Sequence, residues 1–200
     1  MKLICIGDSL TFGYGVHLSQ RWTRLCAQET GWELVNEGIN GDTTGGMLAR
    51  MQGGVLAELR EGGLGADRPY VLLMGGSNDV FYSGSDAAAR GNMGAMIHQL
   101  FSVGVLPMVG IPLPADAPHV PRAWAAAVDF EAAERTMKGY RVWLKRYCTA
   151  FGVPYIDFCA DFLSPDGSIR SELLLDGLHP TPEGHRLMAR QLSAQLKRQG

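Results

Sequence analysis

Three times before residue 80 the chain runs through a few apolar residues and then breaks into glycine and small polar residues. Leu3 to Ile6 leads into Gly7-Asp8-Ser9-Leu10, Trp32 to Val35 into the polar stretch Asn36 to Thr44, and Tyr70 to Met74 into Gly75-Gly76-Ser77-Asn78-Asp79. Short apolar runs bounded by glycine read as buried strands that the chain leaves abruptly. Val105 to Ile111, with Pro107 near its start, and Tyr155 to Asp157 read as a fourth and a fifth. The segments between carry helical spacing. Arg21 to Thr30 places Trp22, Leu25 and Cys26 on one face and stops at Gly31; a helix with Met47, Leu48 and Met51 ends around Arg60, followed by a surface linker from Glu61 to Pro69. Asp86 can cap a helix bearing Met93, Met96, Ile97, Leu100 and Phe101, Asp129 to Phe151 is long and amphipathic, and Thr181 caps a last helix opened by Pro182 that runs to about Leu196.

Strands alternating with helices of ten or more residues require crossovers, and crossovers make the sheet parallel and cover both of its faces. The expected fold is therefore α/β: a single-domain, three-layer sandwich over residues 1–200, with a parallel sheet of about five strands and helices on both faces. Ligands of such sheets lie beyond the carboxyl ends of the strands. Ser9, the Gly41 loop, Asn78 and the end of the Asp157 strand are all expected on that edge.

Composition narrows the partners. The net charge of -2 and the lack of any Lys/Arg run point away from nucleic acid and from anionic membrane surfaces, both of which need concentrated positive charge. There is no signal-peptide pattern before the first strand and no apolar run long enough for a bilayer, so the expected location is cytoplasmic, without membrane insertion. Cys5, Cys26, Cys148 and Cys159 show no C-x-x-C spacing and read as reduced thiols packed inside; no metal and no cofactor is expected.

The two ends of the chain carry the chemistry. A serine on an exit turn after a strand projects a hydroxyl beside converging N–H groups, the arrangement a nucleophile with an oxyanion site requires. Asp176 and His179 lie three apart in a turn, with Pro180 biasing the histidine away from helix. A carboxylate on Nδ1 fixes the tautomer that offers Nε2 as a base, and the missing partner is a hydroxyl. The Ser9 and Gly41 backbone amides and the Asn78 side chain can supply three oxyanion donors. Read singly, Gly41 serves equally as a tight-turn residue and Asn78 as a brace of its own loop.

Taken together, the blocks Gly7-Asp8-Ser9-Leu10, Gly38-Ile39-Asn40-Gly41-Asp42-Thr43, Gly76-Ser77-Asn78-Asp79 and Asp176-Gly177-Leu178-His179-Pro180 resemble, in order, those of the GDSL or SGNH hydrolases. The resemblance implies a flavodoxin-like fold and a serine esterase or acylhydrolase. It also implies Ser9 as nucleophile, Asp176 as orienting acid, His179 as base and Ser9, Gly41 and Asn78 as oxyanion donors. Within that family the substrates range over short-chain and aryl esters, acyl thioesters, lysophospholipids and acetylated carbohydrates. The expected reaction is hydrolysis of a small-molecule acyl ester, with thioesterase or lysophospholipase as alternatives and a non-catalytic small-molecule binder as a reading of another class.

Competing motifs fail on their own terms. Gly41 to Gly46 has phosphate-loop spacing but is followed by Met47 instead of lysine, and no Gly-x-Ser-x-Gly elbow is present. Asp8, Asp42 and Asp79 read as braces of their own turns. His17, His98, His119 and His185 show no ligand spacing, and only His119 is placed where it could border a pocket. Phe12, Tyr14, Phe81, Tyr82 and Trp124 are the candidate substrate walls, with the proline-rich segment 112–128 bordering the site. Its stiffness and the lack of an apolar lid suggest a shallow cleft for acyl groups of roughly two to six carbons, since each buried methylene adds only about 0.8 kcal/mol.

Overall fold

A computed structural model describes residues 1–56 and 69–198. Its centre is a five-stranded, wholly parallel sheet: β1 (Lys2–Gly7), β2 (Glu33–Gly38), β3 (Tyr70–Met74), β4 (Pro107–Gly110) and β5 (Tyr155–Ile156). The spatial order β2-β1-β3-β4-β5 reverses direction at β1, so the crevice beyond β1 and β3 is the topological switch point, where open α/β sheets bind ligands. The helices are α1 (Ser9–Phe12), α2 (Trp22–Thr30), α3 (Thr44–Gly53), α4 (Ser77–Ser83), α5 (Ala87–Ser102), α6 (Arg122–Ala125), α7 (Phe130–Phe151) and α8 (Pro182–Leu196).

Alternate residues of the central strands enter opposite cores, as a pleated strand covered on both faces dictates. Ile4, Ile6, Val71 and Leu73 pack with Met47, Met93, Ile97 and Leu144 from α3, α5 and α7. Leu3, Cys5, Leu72 and Met74 face the other way, into Trp22, Phe158, Met188 and Leu192. All four cysteines are buried free thiols. No helix among the described residues is long and apolar enough to cross a membrane.

The element ends differ from expectation where pairing overrides local composition. Strand β2 starts after Trp32 and continues through Asn36-Glu37-Gly38, which read as loop from its polarity. Parallel pairing of Asn36 with Cys5 and of Gly38 with Gly7 extends it, and at a sheet edge polar side chains are tolerated. Asn36 uses its position, donating from Nδ2 to the Thr11 carbonyl and to Thr23 Oγ1. The helix after Thr43 ends at Gly53; the expected end near Arg60 and most of the Glu61 to Pro69 linker lie outside the described residues. Asp86 sits at the start of α5 but does not cap it with its side chain, which pairs instead with Arg90 one turn on. Thr181 and Asp129 do cap, accepting from Gly184 N and Ala132 N.

Candidate active site

Ser9, Gly41 and Asn78 follow the ends of β1, β2 and β3. Asp8 closes β1 and accepts the Leu10 N–H at 2.9 Å, which turns the chain directly into α1 with Ser9 as its first residue. N–H groups in a helix's first turn lack carbonyl partners within the helix, so the Ser9 turn begins with donors to spare. The turn is packed against β2 so closely that a Cβ on Gly38 would collide with the Phe12 backbone. After β3, Gly76 adopts φ 115°, where its missing Cβ makes room for the ring of Tyr140, 2.5 Å from where that carbon would be. Tyr140, buried on α7, donates to the Gly75 carbonyl at 3.1 Å and so fixes the turn that starts α4 with Ser77 and Asn78.

The far end of the chain meets these turns. Ser9 Oγ and His179 Nε2 are 2.9 Å apart across 170 residues of sequence. The other ring nitrogen, Nδ1, lies 2.8 Å from Asp176 Oδ2, and Asp176 Oδ1 accepts the backbone N–H groups of His179 and Leu178. Burial pushes the Asp176 carboxyl up, but the hydrogen bonds from His179 and Leu178 outweigh it and hold the group below its ordinary value. The carboxylate is thus ionised and aimed at the ring. Gly177, at φ 78°, lets this turn seat on the Asp116 to Val120 segment, and the Asp116 N–H donates to the Gly177 carbonyl at 2.7 Å.

Ser9, Gly41, Asn78 and His179 line one cleft of about 390 Å³. Asn78 Nδ2 donates one proton to the Asp42 carbonyl at 2.8 Å, which ties the block after β2 to the block after β3. Gly41 is in the left-handed region at φ 74°. Asp79 does not brace its own turn: it accepts from Thr44 N and Thr44 Oγ1, pinning the start of α3, while Asp42 pairs with Arg50. Only Asp8 behaves as the Asx brace its position suggests. Its Oδ2 is buried without a hydrogen-bond partner among the described residues, and burial, with the carboxylates of Asp42 and Asp79 nearby, pushes it up to about 7.

Tyr14, Phe81, Tyr82 and Trp124 line the cleft, whereas Phe12 does not. The helical turn that begins at Ser9 carries Phe12 toward α2, where the Arg21 guanidinium lies 4.2 Å over its ring. His119 is also outside the cleft, with Nδ1 on Asp116 at 2.8 Å. Segment 112–128 does border the site, through Leu113, Ala115, Trp124 and Val128. The cleft is deeper than a shallow groove, because its lining includes the buried Phe130 and Met137 of α7. From its spacing alone α7 is an amphipathic helix; apolar residues at helical spacing look the same whether they fill a core or floor a cleft. The same helix carries the buried ion pair of Glu134 and Arg141, which accepts the Ala115 N–H at 2.9 Å and donates to the Leu113 carbonyl at 3.3 Å, holding the cleft wall. Among the described residues no cluster of His, Cys, Asp or Glu could hold a metal ion.

A hydroxyl, an imidazole and a carboxylate in line, beside a side-chain amide at the switch point of a parallel sheet, define a serine-hydrolase type of site. Residues 5–187 match the model of the GDSL-like lipase/acylhydrolase family, and the chain belongs to that family and is a carboxylic ester hydrolase. It is 27% identical to Esterase TesA of Pseudomonas aeruginosa over 186 residues, which is 89% of this chain and 79% of the relative. In fold it is similar to the M. smegmatis aryl esterase, with a TM-score of 0.79, 20% identity and 98% of each chain covered. It is equally similar to a carbohydrate acetylesterase from Sinorhizobium meliloti, with a TM-score of 0.79, 19% identity, and 100% of this chain and 99% of that one covered.

Proposed function

We propose that the protein hydrolyses uncharged carboxylic esters with short acyl groups through an acyl-enzyme on Ser9. Ser9 Oγ attacks the acyl carbon while its proton passes to His179 Nε2, and Asp176 stabilises the imidazolium that forms. The carbonyl oxygen becomes an oxyanion held by the Ser9 and Gly41 N–H groups and the second Nδ2 proton of Asn78. His179 then gives its proton to the leaving oxygen, the alcohol departs, and a water deprotonated by the same histidine releases the acid. The observation that carries this reading is the 2.9 Å contact of Ser9 Oγ with His179 Nε2, with Asp176 on the other nitrogen.

The lining supports the substrate class. No lysine or arginine lines the cleft among the described residues, so a phosphate-bearing substrate would find no cation there. Buried Phe130 and Met137 close its inner end, which favours acyl groups of roughly two to six carbons at about 0.8 kcal/mol per methylene. The test is turnover of p-nitrophenyl acetate with and without Ser9→Ala, together with mass spectrometry of Ser9 during turnover. The expected result is loss of essentially all activity in the variant and an acetylated Ser9 in the wild type. Retained activity would remove the nucleophile assignment, and no turnover by the wild type of any ester in an acyl series would favour a binding protein. A climb in kcat/KM out to palmitoyl, or a preference for acyl-CoA or lysophospholipid, would replace the short-chain reading.

A further inference from the structure

Gly7 and Gly38 are the last paired residues of β1 and β2, and beyond them the chain parts, into the Ser9 turn on one side and the Gly41 loop on the other. One side chain spans that gap. Arg50, about two turns into α3, donates from Nε to Asp42 Oδ2 and from an Nη to the Gly7 carbonyl, each at 2.9 Å. The Gly7 carbonyl also accepts the Ile39 N–H at 3.0 Å, so both of its lone pairs are engaged. Asp42 is held twice: Arg50 takes its carboxylate and Asn78 its carbonyl. The carboxylate has room only because residue 46 is glycine, since a Cβ there would lie 1.9 Å from Asp42 Oδ1. Neither Arg50 nor Asp42 lines the cleft, and their side chains are 24% and 11% exposed, which shields the pair from water.

We propose that Arg50 is a positioning residue for the oxyanion site: with Asp42 and Gly46 it forms a clasp that sets the Gly41 N–H against the Ser9 N–H. The inference rests on the proposed oxyanion role of those two groups. A guanidinium is a rigid planar fork, so when neighbouring N–H groups engage two acceptors, the spacing of the acceptors is fixed as well. Here one acceptor lies two residues before Ser9 and the other belongs to the residue after Gly41. Gly41 has no side chain of its own to anchor it, so the direction of its N–H follows from its neighbours. A lysine in place of Arg50 would keep the charge but not the fork. Oxyanion donors act on charge that develops in the transition state, so a loop released from the clasp costs kcat and leaves KM nearly unchanged.

Steady-state kinetics with p-nitrophenyl acetate on Arg50→Met, Arg50→Lys, Gly46→Ala and the Gly46→Ala/Arg50→Met double variant test the clasp. Methionine keeps the helix propensity and the apolar stem of arginine, and alanine is a better helix former than glycine, so neither substitution weakens α3 by its own propensity. Gly46→Ala displaces the Asp42 carboxylate while leaving Arg50 in place, which opens the clasp from its other end. Arg50→Met and Gly46→Ala should each lower kcat about 10- to 100-fold with KM nearly unchanged, because a displacement of about 1 Å can cost on the order of 100-fold. Arg50→Lys should lose most of the same factor. The double variant should be no slower than the slower single one, since both substitutions break one unit. Three results overturn the clasp: kcat within twofold of wild type in both single variants, full kcat in Arg50→Lys, or losses that multiply in the double variant. Asn78→Ala, measured alongside, keeps the two claims apart. An unchanged kcat there removes the oxyanion reading itself, whereas a fall in Asn78→Ala with none in Arg50→Met and Gly46→Ala removes only the clasp.

Discussion

The Asn78 side-chain amide reaches the backbone carbonyl of Asp42 at 2.8 Å, so one side chain on the turn after β3 holds the loop after β2. The bond occupies one amide proton and leaves the other for the cleft. Asn78→Ala should lower kcat by about 100- to 1000-fold with KM nearly unchanged, the cost of one oxyanion donor. Steady-state kinetics decide it. A change confined to KM would make Asn78 a residue of ground-state binding.

Asp176→Asn tests the other side of the imidazole. The carboxylate accepts from the His179 ring and from two backbone N–H groups, and an amide in its place retains the shape but can present an N–H to Nδ1. That selects the wrong tautomer, and kcat should fall about 10⁴-fold while the fold survives. Circular dichroism and thermal melts of the purified variant provide the check on folding.

Two buried groups give stability opposite slopes with pH. Asp8, pushed up from 3.8 to about 7, keeps a proton in the folded chain that the unfolded chain has lost, so its contribution is full below pH 4 and declines as pH rises to 7. His185, buried with Nδ1 accepting the Trp22 N–H, is pushed down from 6.5 to about 4, first by burial and then by the charges of Arg21 and His179. Its contribution is full above pH 6.5 and is lost as pH falls to 4. Each slope is about 1.4 kcal/mol per pH unit within its window. Over pH 4 to 6.5 the two slopes oppose each other, so Asp8→Asn should expose a rise in stability across that range, and His185→Gln should expose a fall from pH 4 to 7. Denaturant titrations across that range read both; slopes unchanged in either variant would refute the corresponding assignment.

Met137 is fully buried at the inner end of the cleft. Met137→Ala should destabilise the fold by about 2–5 kcal/mol and lengthen the preferred acyl group, each accommodated methylene adding roughly fourfold to kcat/KM. The p-nitrophenyl ester series measures the shift, and an unchanged optimum would place the acyl chain elsewhere.

Much of this site was legible because its parts are local. Gly-Asp-Ser-Leu after an apolar run, and Asp-x-x-His before proline, each form within a few residues, and their chemistry follows from residue type. Strand existence was equally local. What could not be read depends on partners far away in sequence: the extension of β2 through Asn36-Glu37-Gly38 comes from pairing with β1, and Asp79 turned out to serve Thr44 instead of its own turn. The displacement of Phe12 follows from the helical turn at Ser9, which its glycine-rich surroundings concealed. The Glu134–Arg141 pair and the floor at Met137 were invisible for another reason. Charge and apolar spacing on a helix do not say which residues face a cleft wall and which face solvent.

The 170-residue separation of Ser9 and His179 also bears on when the molecule can first act. During synthesis the strand that carries Ser9, the proposed nucleophile, emerges almost at once, while His179, its proposed base, appears only after the whole sheet has been made. At about 5–20 residues per second that interval is on the order of ten seconds or more. A nascent chain in that interval exposes a serine with no imidazole beside it and has no means of attacking an ester. The first turnover therefore coincides with completion of the tertiary structure, and in a cell-free translation reaction esterase activity would serve as a clock for folding.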